Sequence, residues 1–551
     1  MPTKPPSIKQ VKNQKALALY ALSLCALVAL VALLQRVHSV CEKSLQRRLS
    51  TTPRARIARA VLSASRYLDK QTKWKRLGEP TRRFVLLGSL FLAINALFCV
   101  NIIAGHQFNF LASRFGWMAT ANMIVCVLFM MRNSPLTSVV ALSHVDLRRL
   151  HVAMAYLASA LVVLHGVFYS IYFVRLGRWE ELFEAGNVEG FFATAAMVVL
   201  VVFGLARQRR YELFFVLHAA SFAILLPLLY LHRPDWAKRL PLLVAIMGSI
   251  WGSDRIARLC RMVVHLVLGR DRVTVHALPG GGTQLFLQSR RTAAALPALY
   301  CYLWVPQISA WQTHPFTIVS NGSRGVELVI KAADGFTREL YERAHGDRPP
   351  IRCASLDGPY GSLPDTAPYD KLVLVAGGSG AAYTFGLINY ILGNGTTRAG
   401  QAIDFVWAVR TADMLSWFTE HLLTITDDAS RVHVSIYITG GESSPPDGGP
   451  VAIRDLVGSM PAKSDVTEFS ELEPLLGSGC ESLHHTATVV YGKMSTDVVV
   501  GRAMKTVGED DRALVVGCGP HALIEALKQS VDGYQAKHAL RIDVYCEDYG
   551  S

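Results

Sequence analysis

Four histidines stand in two apolar segments at one repeated spacing: His151 and His165 in LHVAMAYLASALVVLHGVFY, His218 and His232 in LHAASFAILLPLLYLH. In a helix, a 14-residue step stops about 40° short of four full turns, so both rings of a pair share one face, about 21 Å apart along the axis. Ionisable side chains are costly in lipid and face a partner, a cavity or a cofactor there. Imidazoles at matching depth on two helices are ready axial ligands for haem iron, one pair for each of two stacked sites. A single such histidine is ordinarily satisfied by a neighbouring hydroxyl or carbonyl. The doubled step is what favours ligation.

Later in the chain, other residue types suit nucleotides. His314-Pro315-Phe316-Thr317-Ile318-Val319-Ser320 combines a stiffened backbone, an aromatic face and two hydroxyls able to donate to ribityl or phosphate oxygens. That chemistry suits a flavin, although on spacing alone the run reads equally as a strand entering a turn. Lys331, Gly335 and Thr337 place a cation, a flexible glycine and a hydroxyl before a helical run, fit for a pyrophosphate or for a plain helix cap. Gly377-Gly378-Ser379-Gly380 follows an apolar strand, where backbone amides at a helix N-terminus can approach a dinucleotide phosphate; the spacing departs from GxGxxG. Gly517-Cys518-Gly519-Pro520 ends another strand, and its thiol either sits against a nicotinamide ring or is a buried strand-end cysteine. Arg410 closes AIDFVWAVR, one strand on from the glycine loop, where a guanidinium can pair with a 2′-phosphate and favour NADPH over NADH.

These residues need a frame. Apolar stretches end near residue 260, and seven candidate spans precede that point: 16–34, 84–104, 117–131, 151–174, 190–206, 211–231 and 240–253. If Arg255, Arg258 and Arg261 are cytosolic, alternation places 35–83, 132–150 and 207–210 on the same side. Lys and Arg concentrate in those loops, as the positive-inside bias requires, and the N-terminus then faces outward. His151 and His218 fall near the inner face, His165 and His232 near the outer. Lys4, Lys9, Lys12 and Lys15 before the first apolar run also suit a signal peptide. Its removal would leave the basic 35–83 stretch outside, so an uncleaved span is favoured.

The net charge of +14 follows from residues that border the membrane and can meet anionic lipid. It makes no case for nucleic acid. Ten cysteines without a CxxC or a close Cys/His cluster indicate neither a structural zinc site nor a disulfide framework.

Beyond Arg261, RVTVHAL, TQLFLQS, LYCYLWV and VELVIKA read as strands of an antiparallel barrel, with Asp357-Gly358-Pro359-Tyr360-Gly361 as a tight turn closing it. From Tyr369 onward, strands such as KLVLVAGGSG and RALVVGCGP alternate with helical runs. That is a parallel α/β pattern with ligands expected at the carboxyl ends of its strands. Residues 441–478, rich in Pro, Gly, Ser and acid, read as a mobile insertion. The expected layout is a first span and basic cytosolic loop (1–83), a haem-binding bundle (84–260), a flavin barrel (261–365) and a nucleotide-binding α/β domain (366–551).

Taken in order, the histidine pairs, HPFTIVS, DGPYG, AGGSG and VVGCGP resemble, over residues 84–551, the fungal ferric-chelate reductases of the ferric reductase and NADPH oxidase superfamily. The resemblance implies two b-type haems on the four histidines, FAD held by the HPFT segment in a ferredoxin-reductase-like barrel, and NADPH on the glycine loop and the Cys-Gly turn. It further implies a multi-pass membrane enzyme, at the plasma membrane or alternatively an internal one, passing electrons from cytosolic NADPH to ferric chelates across the bilayer, with cupric ions as a further acceptor. Oxygen is the alternative acceptor, giving superoxide, but oxidases of the superfamily carry a second histidine step one residue shorter. A transporter with a nucleotide-binding tail would need no paired histidines. Two positions depart from or extend the pattern: Tyr491-Gly492-Lys493-Met494 replaces a Gly-Arg-Pro step, and Tyr549 falls where relatives carry an aromatic near the flavin. Near the expected electron exit, Glu180, Glu181, Glu184 and Glu189 offer hard oxygen ligands or form a plain solvated loop.

Overall fold

In lipid the backbone must satisfy its own hydrogen bonds, so long apolar runs without charges fold as helices. The computed structural model describes residues 8–46, 81–100, 108–131, 144–207, 209–233, 239–268, 272–288, 295–361, 363–393, 400–427, 431–440, 450–452, 486–508, 511–538 and 540–548, with isolated positions between 56 and 72 and at 136 and 237. Among them, seven helices are long and apolar enough to cross a membrane. They are α1 (Ile8–Gln46), α2 (Arg82–Val100), α3 (Phe108–Phe129), α4 (His144–Arg175), α5 (Ala185–Ala206), α6 (Tyr211–Leu231) and α7 (Leu240–Leu268).

The count matches the sequence expectation, while several helices outrun their expected spans, α1 and α7 the furthest. The span expected at 240–253 continues through Arg255, Arg258 and Arg261 to Leu268, because no proline interrupts residues 242–268. Similarly, α1 starts at Ile8, ahead of the expected residue 16. Hydropathy marks where lipid ends and says little about where a helix does. The innermost helix is α3, with 61% of its span window buried against 6–11% for the other six.

The chain divides into two compact units, Met1–Arg258 and Leu259–Ser551. The second begins with a six-stranded sheet in the order β1-β2-β5-β4-β3-β6, antiparallel throughout: β1 (Arg272–Leu278), β2 (Gly282–Gln288), β3 (Tyr300–Trp304), β4 (His314–Gly322), β5 (Gly325–Lys331) and β6 (Ser355–Tyr360). Alternation of apolar residues puts Leu285, Leu287, Leu303, Ile318, Val326 and Leu328 into one core. Of the closing turn expected at 357–361, residues 357–360 are instead the end of β6. It pairs with β3 through Tyr302↔Asp357 and Tyr300↔Tyr360 across a register irregularity. An irregular edge position tolerates a proline that a regular ladder would exclude.

The α/β part is a seven-stranded sheet in the order β10-β11-β9-β8-β7-β12-β13. Its strands are β7 (Lys371–Gly377), β8 (Ala402–Val409), β9 (Val432–Ile438), β10 (Pro450–Ala452), β11 (Thr486–Tyr491), β12 (Arg512–Gly519) and β13 (Arg541–Asp548). All pairings are parallel except that of β10 with β11. The described helices of this unit are α8 (Phe336–His345), α9 (Ala381–Gly393), α10 (Thr419–Asp427), α11 (Thr496–Met504) and α12 (His521–Lys537). Near-continuous apolar strands such as Leu372–Ala376, all fully buried, reflect cover on both faces. The expected insertion 441–478 lies outside the described residues apart from β10.

Candidate functional site

His151 and His165 lie on α4, His218 lies on α6, and His232 caps the C-terminal end of α6. Facing rings pair across the two helices: the centroids of His151 and His218 are 6.4 Å apart, those of His165 and His232 5.8 Å. A metal binds an imidazole nitrogen at about 2.0–2.1 Å. Two rings on opposite sides of one ion therefore stand with centroids about 6 Å apart, which both pairs satisfy.

The neighbouring helices fix the tautomer. The Nδ1 atom of His151 lies 3.0 Å from Cys126 O and that of His165 2.7 Å from Ala112 O, both on α3. On α5, Leu200 O stands 3.0 Å from Nδ1 of His218 and Gly186 O 2.6 Å from Nδ1 of His232. A carbonyl only accepts, so each Nδ1 carries the proton and donates it, leaving every Nε2 with a lone pair for a metal. Small residues let the rings in. A Cβ on Gly116 of α3 would lie 2.7 Å from His165 Nδ1, and one on Gly190 of α5 2.5 Å from His232 Cε1. Beside His151 and His218 opens a largely apolar cleft of about 140 Å³, lined by Met123, Ala155, Ser159, Met197, Leu200 and Phe222. Donor set and tautomer fit a haem iron between the facing rings. The supporting carbonyls and glycines were missed in the sequence; glycines inside apolar spans were the available signal.

In the second unit, His314 through Ser320 form most of β4. His314 stacks on Phe336 at 4.3 Å, and Phe316 stacks on the same ring at 6.3 Å. Pro315 is exposed, whereas Ile318 and Val319 are core residues. The Ile318 N–H donates to Leu299 O and its carbonyl accepts from Ala298 N, each at 2.8 Å, and the Val319 carbonyl accepts from Asn389 Nδ2 at 3.1 Å, so Ile318 serves the barrel core rather than a ligand. The Ser320 hydroxyl donates to Glu327 at 2.5 Å. Glu327, 1% exposed, also accepts from Gln284 at 2.7 Å and from His421 Nε2 of α10 at 2.9 Å. Burial pushes its carboxyl up, but hydrogen bonds from His421, Ser320 and Gln284 and the charge of His421 outweigh that and hold it below the usual value. Lys331 is exposed at the end of β5. Gly335, at φ 67°, leads into α8, and the Thr337 hydroxyl accepts from the Ala333 N–H at 2.9 Å. Thr337 thus closes the turn before α8.

The strand order makes the nucleotide crevice legible. From β7 the chain proceeds outward through β8, β9 and β11 on one side and through β12 and β13 on the other, so the order reverses between β7 and β12. Ligands of open α/β sheets bind outside the carboxyl ends of the strands at such a point. Both glycine-rich turns lie there. Gly377 ends β7, Gly378–Gly380 make one tight turn, and α9 begins at Ala381. A Cβ on Gly380 would collide with Cys518 O, and one on Gly519 would lie 3.0 Å from Gly377 N. These glycines let the two turns pack against each other. Gly378, at φ 56°, has open space around it.

The Cys518 thiol is fully buried, and Pro520 caps α12. Tyr383 stacks on Tyr545 nearby at 6.3 Å, and the Tyr545 hydroxyl donates to Glu547 at 2.8 Å. Burial pushes the carboxyl of Glu547 up. Neither tyrosine nor Glu547 stood out in the sequence. Arg410 is exposed just past β8, with its carbonyl accepting from Gly440 N at 2.8 Å. The Tyr491-Gly492 step ends β11, and Gly492 N donates to Ile438 O at 2.9 Å. Tyr549 lies outside the described residues. In the loop before α5, Glu181 pairs with Arg178, and its carbonyl accepts from Asn187 Nδ2 at 2.6 Å.

Comparison with known proteins places these features. Residues 115–229 match a family described as the ferric reductase like transmembrane component, residues 270–363 an FAD-binding domain, and residues 369–532 the ferric reductase NAD binding domain. Ferric reductase transmembrane component 4 of Saccharomyces cerevisiae is 25% identical over 503 residues, covering 85% of this chain and 67% of its own. Ferric/cupric reductase transmembrane component 2 of Schizosaccharomyces pombe is 22% identical over 492 residues, covering 78% and 80%. An Aspergillus oryzae protein named "Probable cell surface ferric reductase kap2" is 28% identical over 371 residues, covering 60% of this chain and 48% of that one. With membrane, flavin and nucleotide segments matched in one order, the chain belongs to the ferric reductase family, among relatives of the fungal ferric-chelate reductases.

Proposed function

We propose that the protein carries electrons from cytosolic NADPH across a membrane to ferric chelates on the far side, with cupric ions as a further acceptor. When bound, FAD takes a hydride from NADPH and passes single electrons on to b-type haems. The observation that carries the reading is the pair of facing imidazole sets, each ring with Nε2 left for iron. His151 and His218 would hold the inner haem, His165 and His232 the outer. With one imidazole from each helix, haems held there would carry electrons rather than bind substrate, and the acceptor would be reduced without ligating the iron.

In the second unit, His314, Pro315, Phe316 and Thr317 would hold FAD by side chain and Val319 and Ser320 by backbone, Ile318 packing beneath them, with Lys331, Gly335 and Thr337 at its pyrophosphate. Gly378, Ser379 and Pro520 would line the NADPH crevice, with Gly377, Gly380, buried Cys518 and Gly519 packing its two turns together and Arg410 at the 2′-phosphate. The domains are then 1–83, 84–260, 261–365 and 366–551, the last holding the insertion at 441–478. The printed name of the Aspergillus relative supports the plasma membrane.

The test is NADPH-dependent ferric chelate reduction with and without superoxide dismutase, beside haem content. Two haems per chain are expected, with one lost in each of His151→Ala, His165→Ala, His218→Ala and His232→Ala. A dismutase-sensitive signal, with oxygen consumed as fast as the chelate, would assign the protein to the superoxide-generating oxidases instead.

A further inference from the structure

We propose that Lys9, delivered by the first membrane helix, is the cationic partner of the outer haem's carboxylate edge and sets the potential of that carrier. The proposal rests on the outer haem being held by His165 and His232. Its basis is the way α1 is seated. The helix buries Gln10, Asn13, Ala16 and Tyr20, a single face at helical spacing. That face is held by polar bonds. Arg114 of α3, only 4% exposed, donates to Asn13 Oδ1 at 2.7 Å, to the Lys12 carbonyl at 3.3 Å and to the Phe98 carbonyl at 3.0 Å. Asn13 donates to Ser113 at 3.0 Å, and the Tyr20 hydroxyl donates to Asn122 at 3.0 Å while accepting from Asn95 at 3.2 Å.

In an apolar setting, sliding or turning α1 would strand these groups, so its register is fixed. Lys9 is therefore placed, not merely tethered. Its Nζ donates to the Tyr169 hydroxyl at 2.8 Å and lies 5.1 Å from the Tyr169 ring centroid and 5.9 Å from that of Phe110. Tyr169 stands one helical turn beyond His165 on α4, its ring 5.1 Å from the imidazole. By the topology above, that turn is on the outward side. A lysine that served only as a membrane anchor would extend its ammonium toward water. This one is turned into the bundle, onto the tyrosine beside a ligand.

Haem carries two carboxylate side chains, and a positive charge in a low-dielectric setting attracts them and favours the more negative, reduced iron state. Lys9 is a positioning and tuning residue; it does not touch the iron. The test is a spectroelectrochemical titration of both haems in the purified full chain, preceded by haem content of the wild type and of His165→Ala. With two haems in the wild type and one in His165→Ala, Lys9→Met is expected to lower the potential of one haem and leave the other in place. Tyr169→Phe should give part of that shift, Lys9→Arg should restore the wild-type curve, and Lys15→Met, at an exposed α1 position, should leave both curves unchanged. A Lys9→Met titration superimposable on the wild type, or an equal shift of both haems, overturns the proposal. A wild type with one haem, or an unchanged count in His165→Ala, instead overturns the outer-haem assignment beneath it.

Discussion

At the scale of single residues, two glycines are as constrained as the histidines they face. Gly116→Ala or Gly190→Ala forces a methyl into the space of His165 or His232, and neither imidazole can retreat without breaking its bond to Ala112 O or Gly186 O. Either variant should lose the outer haem and keep the inner, read as halved haem absorbance. Gly88→Ala, with no atom within 4 Å of its new Cβ, should retain both haems. At the nucleotide crevice, Arg410→Ala should raise the KM for NADPH but not for NADH, by an amount corresponding to about 1.5–3 kcal/mol for a charged hydrogen bond. Equal losses for both cofactors would remove Arg410 from the 2′-phosphate. A methyl at Gly380 should instead impair folding, since it meets the Cys518 main chain rather than open space.

At the scale of elements, the buried Glu327–His421 contact joins β5 of the barrel to α10 of the α/β layer, and Asn389 Nδ2 of α9 approaches His421 Nδ1 at 3.0 Å. His421→Ala leaves a carboxylate buried without its main partner, at a cost of about 3–5 kcal/mol. Thermal release of FAD, followed by its fluorescence, should shift to lower temperature in that variant. Because the folded-state value of Glu327 is depressed, its contribution is complete above the unfolded value of about 4.3. That contribution fades as pH falls from there through the folded value. Acid should thus loosen this junction only below about pH 4.3, and Glu327→Gln should flatten the dependence.

Element types were readable because apolar runs and period-two alternation mark each locally: seven spans and both sheets follow the sequence pattern. The facing of His151 with His218 follows from depth and helix periodicity. What could not be read was held across the chain. The carbonyl of Ala112 lies 53 residues from His165, and Glu327 lies 94 from His421. Neither has a local pattern, and Ser320 looked available to a flavin because its acceptor lies on another strand.

At the scale of the whole molecule, the manner in which the imidazoles are held has an electrical consequence. All four ring protons are committed to main-chain carbonyls. Between the two ligand levels, residues 152–164 of α4 and 219–231 of α6 include no Asp, Glu, Lys or Arg. If an electron moves between these levels, no acid or base on the two segments carries a proton with it, and the transfer displaces charge. Moving one charge through the full membrane field involves about 2.3 kcal/mol per 100 mV. With the cytosol negative, that field pushes electrons outward, and every turnover erodes it. Chelate reduction in sealed vesicles loaded with NADPH should therefore accelerate when a potassium diffusion potential makes the lumen negative and slow when it is reversed. Voltage-independent rates would require a counter-charge moving with the electron. The enzyme would then act as a small generator of current, its output governed by the resting voltage of the cell as well as by its supply of iron.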